Sequence, residues 1–168
     1  MIYEEKLSPE ELEAFTNLKV TTQLDTSLFN TMMALINLLS GFNKNAYVCH
    51  SWYKGFGYLL FNRSKYRGNL PRSIIYPFTY VKKKGIKMQC MVIRNMLIKQ
   101  GYPKTKEDVI YSLLGTKYKQ IDRAHPPKSL LNTQLQLIAP FKYDRYLTID
   151  KVIKYLDKEI EKELTRCK

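Results

Sequence analysis

Residues 26–41 read TSLFNTMMALINLLSG, and how they fold decides the class of the whole chain. Leu28, Phe29, Met32, Met33, Leu35, Ile36, Leu38 and Leu39 recur at helical spacing and cover more than one face, the pattern of a helix surrounded by other elements. Asp25 or Thr26 stands where an N-cap belongs, and Gly41 supplies a left-handed stop. The reading is a central core helix, with Met32 and Met33 as packing residues rather than a pliable binding surface. A chain of 168 residues built around such a helix is long enough to bury a core, and its 45% hydrophobic and 26% charged content is that of an ordinary ordered domain. The expected fold is mainly α, or α+β if the middle of the chain contributes strands.

Working outward toward the N-terminus, Ser8-Pro9-Glu10-Glu11 has the form of a capping box with proline at the first helical position. It predicts a short helix with one apolar stripe of Leu12, Phe15 and Leu18. Glu4, Glu5, Glu10, Glu11 and Glu13 make its other side strongly negative. The division expected is an acidic arm with a short helix over 1–24, followed by a single basic globular domain over 25–168.

Beyond Gly41 the pattern is less regular. Between residues 46 and 80, three glycines, two prolines and many aromatic and β-branched residues interrupt any helical period. One reading is a hairpin of Tyr47 to Tyr53 and Phe56 to Phe61 around Lys54-Gly55, then a loop from Asn62 to Ser73 and an edge strand at Ile74 to Tyr80. The other is a buried helix from Trp52 to Phe61, against which Gly55 and Gly57 each count about 1 kcal/mol. The residue types favour strands. After the Lys82-Lys83-Lys84-Gly85 turn, helices are expected from about Lys87 to Gln100, Lys106 to Leu114 behind a Thr105 cap, Lys117 to Ala124, around Leu130 to Ile138, and Ile149 to about Leu164. In the last, Val152, Ile153, Leu156, Ile160 and Leu164 form one stripe.

Charge carries the main functional clue. Thr26 to Lys106 contains no Asp or Glu in 81 residues, yet holds ten Lys, four Arg and 13 of the 21 aromatics. Residues 41–128 carry 18 bases against three acids, whereas residues 1–40 carry two against six. A basic block interleaved with rings matches a polyanionic partner, with Lys and Arg on phosphates and rings stacked on bases. The residues marked by this argument are Arg63, Lys65, Tyr66, Arg67, Arg72, Lys82, Lys83 and Lys84.

A second segment adds to it. Ile110, Leu114, Gly115, Ile121 and Ala124 stand at the spacing of core and turn positions, and Lys106 to Ala124 resembles the helix-turn-helix family over about twenty residues. The resemblance implies that Lys117, Lys119, Gln120 and Arg123 face DNA, with Gln120 and Arg123 toward the bases. Tyr111 departs from it, standing where the family has a small residue.

Catalytic and metal chemistry finds little support in the residues. Cys49 and His50 are adjacent, so on a strand they point to opposite faces. Asp and Glu lie mainly toward the two ends of the chain, and no glycine-rich phosphate loop is present. The expectation is a protein without catalysis, metal or cofactor. Three widely spaced cysteines, Glu4 and Glu5 near the start, and no apolar run long enough for a bilayer predict a cytoplasmic, reducing location or a place within a virion, and no membrane partner.

The function expected is nucleic-acid binding, to DNA ahead of RNA, mainly through the phosphate backbone. The alternative is a structural or assembly subunit, such as a ring or connector of a virus-like particle, oligomerising through Glu4, Glu5, Glu10, Glu11 and Glu13 against the basic middle. A third reading is an inhibitor that binds an acidic or nucleic-acid-binding protein.

Overall fold

Nine consecutive residues, Leu28 to Ile36, are buried in the computed structural model, so the second helix is enclosed on every side. The structure describes residues 1–69, 85–99, 101–114, 130 and 133–166. Among them are six α-helices and one two-stranded antiparallel sheet: α1 (Pro9–Thr21), α2 (Thr26–Ser40), β1 (Tyr47–Cys49), β2 (Lys54–Phe56), α3 (Arg63–Gly68), α4 (Ile86–Ile98), α5 (Lys106–Leu114) and α6 (Ile149–Arg166). This is the mainly α arrangement with a small sheet.

Several helix boundaries follow directly from the caps. Ser8 Oγ accepts from Glu11 N, and Glu11 Oε1 accepts from Ser8 N, both at 3.1 Å. Asp25 Oδ1 accepts from Leu28 N at 2.8 Å, and Gly41 closes α2 at φ 61°. Thr105 Oγ1 accepts from Asp108 N at the start of α5. Each such N-cap is worth about 1 kcal/mol. The core then sets the layout. α2 packs on α5 and α6, α4 packs on α1 and α5, and α5 also meets α6. Lys106 Nζ pairs with Asp157 Oδ1 at 2.8 Å across the α5–α6 contact.

The N-terminal segment is not a detached arm. Ile2, Tyr3, Phe15, Leu18 and Leu24 all belong to the single hydrophobic core. The Phe15 ring meets Phe42 edge-on at 6.0 Å and Tyr58 at 5.2 Å. Burying side chains of this size stabilises by about 1.5–3 kcal/mol each, far more than surface carboxylates gain by standing free. Glu11 is also withdrawn from any external role, because its Oε2 accepts from Tyr58 Oη at 2.5 Å.

The hairpin forms, but with its turn in a different place. Tyr47 pairs with Phe56, Val48 with Gly55 and Cys49 with Lys54. His50 and Tyr53 then exchange backbone hydrogen bonds at 2.8 and 3.3 Å, leaving Ser51 and Trp52 as the two-residue tip. Gly55 is therefore a strand residue. A side chain there would come within 2.5 Å of Leu60 O and 2.8 Å of the Tyr53 ring, so close approach, not turn geometry, requires glycine. After Phe56 the chain forms a turn over Gly57 to Leu60 rather than a second strand, closed by Leu60 N to Gly57 O at 3.1 Å and flanked by a Phe56–Phe61 bridge.

Two further expectations change. Asn62 caps α3 by accepting from Lys65 N at 3.0 Å, so a helix begins inside the stretch read as loop. Among the described residues of the helix expected at 130–138, Gln134–Leu137 is a 3₁₀ turn. The final helix runs on to Arg166, with Val152 and Leu156 buried and Leu164 exposed. The edge strand at 74–80 and the helix at 117–124 fall outside the described residues.

Candidate nucleic-acid interface

Two segments far apart in sequence build one open cleft of ≈ 810 Å³, lined by Trp52, Tyr53, Asn62, Gln136, Tyr143 and Arg145. The first wall is the hairpin with the α3 cap, and the second is the 3₁₀ turn with the loop after it. Gln134 joins them by donating from Nε2 to Leu59 O at 3.0 Å.

On the first wall, the tight turn at His50–Tyr53 puts Trp52 at the tip, where it is 45% exposed. Its ring meets those of His50 at 5.6 Å and Tyr53 at 5.9 Å. Tyr53 is anchored by donating its hydroxyl to Leu60 O at 2.6 Å, and burial raises its pKa. Asn62 Oδ1 accepts from Lys65 N and from Ser64 Oγ, which fixes the amide so that Nδ2 stays available as a donor.

On the second wall, Phe141 is buried and holds the loop to the core. Gln136 Nε2 donates to Asp144 O at 3.1 Å and Tyr143 N donates to Gln136 O at 3.2 Å. Tyr143 takes a left-handed backbone, φ 63°, and its side chain is 68% exposed with Lys142 Nζ 5.3 Å from the ring centre. The nearby carboxylate is occupied: Asp144 Oδ1 accepts from Tyr146 N at 2.8 Å, and Oδ2 pairs with Lys151 Nζ at 3.3 Å. None of the described residues lining the cleft is acidic.

Of the residues marked from the sequence, Arg63 and Lys65 lie on α3, just after Asn62. Arg63 is exposed and Lys65 half-buried. Burial, and then the charge of Lys99, lower the Lys65 pKa, and an anion placed there would favour the charged ammonium against both. Arg67 belongs to the same helix by its backbone.

Tyr66 is corrected. Its ring is 0% exposed between Phe56 and Phe61, and its hydroxyl donates to Phe56 O at 2.6 Å, so it holds the hairpin to α3 and has no face for a base. Arg72, Lys82, Lys83, Lys84, Lys117, Lys119, Gln120 and Arg123 lie outside the described residues. Tyr111, the departure from the helix-turn-helix pattern, is 1% exposed in the core.

The cleft residues that sequence reasoning missed are Trp52 as an exposed ring, Lys142, Tyr143 and Arg145. Their signal was present in Phe141-Lys142-Tyr143-Asp144-Arg145-Tyr146, the same alternation of bases and rings as in the acid-free block.

A second concavity, ≈ 560 Å³ between α1 and α4, has Glu10 and Glu13 on one side and Lys87 and Arg94 on the other. Its mixed charge suits a polyanion poorly. At the turn, Ser51 Oγ lies 3.4 Å from His50 Nδ1. Among the described residues there is no group of three His, Cys, Asp or Glu placed to hold a metal ion, and no helix long and apolar enough to cross a membrane. The chain matches no protein-family model, no curated protein and no solved structure.

Proposed function

We propose that this chain is a non-enzymatic nucleic-acid-binding protein whose contact surface is the cleft between the Trp52 hairpin and the Tyr143 loop. The observation that carries the reading is the cleft lining itself: exposed rings and Arg145, with no acidic residue among the described residues of the lining. Lys54, Arg63, Lys65 and Lys142 stand on the elements that border it. Such a surface attracts phosphates by charge alone and gives rings to pack against sugar and base. The net charge of +13 adds long-range attraction for any polyanion.

The alternative reading, an assembly subunit, rests on an acidic segment beside a basic middle. Phe15 and Leu18 tie that segment to the core and Glu11 bonds to Tyr58, while Glu4, Glu5, Glu10 and Glu13 stay exposed.

Fluorescence polarisation of a labelled oligonucleotide across 50–300 mM salt tests the proposal. Neutralising about four phosphates gives a slope of log K against log salt on the order of −3. Changing Arg63, Lys142 and Arg145 together to Glu is expected to abolish binding while leaving the circular dichroism spectrum unchanged. Undiminished affinity in that variant would remove the cleft from the binding surface.

A further inference from the structure

We propose that the Trp52–Tyr143 cleft is a subsite for an unpaired nucleobase, so that the nucleic acid taken is single-stranded. This deepens the nucleic-acid reading above and rests on it.

Trp52 and Tyr143 are both large, both substantially exposed, and both line the same concavity. Among the described rings, Phe15, Phe29, Tyr58, Phe61 and Tyr66 are nearly or fully enclosed, whereas Tyr47, Tyr102 and Tyr146 are exposed but are not among the residues lining this cleft. What sets Trp52 and Tyr143 apart is that two exposed rings share one concavity with Arg145. An aromatic face held in water gains most from a second flat π surface that also leaves water, and every base offers one.

Both rings stand on hydrogen-bonded turns. Trp52 is set by the paired His50 and Tyr53 backbone, and Tyr143 by the bonds from Gln136 and Asp144 around it. Neither main chain has to be ordered at the moment of binding, so the stacking gain is not consumed by lost freedom.

The polar lining of the cleft suits a base as well. Asn62 presents an amide N–H₂ with its oxygen already engaged, which makes it a donor only. A carbonyl oxygen of thymine, uracil, cytosine or guanine, or a ring nitrogen of adenine, is the matching acceptor, so any base can use this donor. Arg145, which forms no ion pair among the described residues, is then placed for the adjoining phosphate.

A duplex cannot satisfy this arrangement. Its bases are stacked on one another and show only their edges, so the two rings would meet sugar and phosphate and leave their faces unfilled. A flexible single strand can turn one base into the cleft while its neighbours follow the basic border.

The experiment compares four fluorescein-labelled 12-mers at 50 mM salt: single-stranded DNA, single-stranded RNA of the same sequence, the DNA duplex, and a single strand of abasic residues that keeps every phosphate. Binding to either ordinary single strand at least 10-fold tighter than to the duplex and the abasic strand is expected. Trp52→Ala and Tyr143→Ala should each weaken single-strand binding by roughly 5- to 100-fold. Their salt slope should stay that of the unmodified chain, and Trp52→Phe should recover most of the loss. Equal binding of abasic and ordinary strands, or unchanged affinity in both alanine variants, would overturn the subsite while salt-dependent binding still stood. Failure of all four oligonucleotides to bind would overturn the nucleic-acid reading itself and leave the rings to a protein partner.

Discussion

Gln134 and Leu59 are 75 positions apart, yet the Gln134 side-chain nitrogen donates to the Leu59 carbonyl at 3.0 Å in the buried interior. That bond joins the turn beneath the hairpin to the turn that precedes the Tyr143 loop, and so fixes the width of the cleft. Gln134→Leu removes the donor and leaves the Leu59 carbonyl buried without its partner. A cost of about 1–3 kcal/mol is expected in urea unfolding, together with weakened oligonucleotide binding although no binding residue has been touched. Full affinity in a destabilised variant would show that the two walls keep their spacing without this bond.

Gln89 of α4 makes a similar tie on the other side of the hairpin. Its Oε1 accepts from Tyr58 N at 2.8 Å and its Nε2 donates to Lys44 O at 2.7 Å. Gly57, at φ 91°, lies so close to Gln89 and to Tyr66 Oη that any side chain there would collide with both. Gly57→Ala is therefore expected to destabilise by more than about 2 kcal/mol, the sum of left-handed strain and the displaced Gln89 bonds. Gly41→Ala, at φ 61° with open space around it, should cost only about 1 kcal/mol. Denaturation midpoints of the two variants in the same buffer check the ranking.

Glu11 serves two structures at once, the α1 capping box and the Tyr58 hydroxyl. Ser8→Ala should cost about 1 kcal/mol, the usual value of a lost cap. Glu11→Ala should cost more, because it also leaves a half-buried hydroxyl without its charged acceptor. Equal effects would mean that the Tyr58 bond contributes nothing to stability.

Burial raises the Cys90 thiol from 9.0 to about 12, with Glu11 adding to the shift. Tyr3 rises from 10.0 to about 12, by burial first and then by Glu163 and Glu159. Both groups ionise more readily in the unfolded chain, so the unfolded state loses protons first as pH rises. Their contribution is intact below about pH 9 and declines steadily toward pH 12. Urea midpoints should be flat from pH 7 to 9 and fall above it. At neutral pH a maleimide should modify the exposed Cys49 in the native protein, and reach Cys90 only on unfolding.

Much of the helical framework was legible because caps are local chemistry. Ser8 with Glu11, Asp25, Gly41 and Thr105 each mark a boundary that the fold places within a residue or so of where the sequence puts it. The hairpin was legible as a hairpin but not in register. Gly55 looks like a turn glycine and is a packing glycine, and what distinguishes the two is the distance to Leu60 O, which no short-range pattern carries. Rings presented the same difficulty. Tyr66 and Trp52 both sit in the acid-free block, but Tyr66 faces Phe56 and Phe61 while Trp52 caps a turn. The second wall of the cleft lay outside the acid-free block, and Asp144 masked the basic-aromatic run that contains it. In the fold, that carboxylate is taken up by Tyr146 N and Lys151.

Trp52 is the chain's single tryptophan, and it stands at the mouth of the cleft. The most direct measurement is its emission during titration with an unlabelled single-stranded oligonucleotide at 50 mM salt, then again after raising the salt. Saturable quenching that reverses at high salt is the predicted result, since a base stacked on the indole must alter its emission. Unchanged Trp52 emission while an independent polarisation signal reports saturated binding would contradict the cleft as the site of contact.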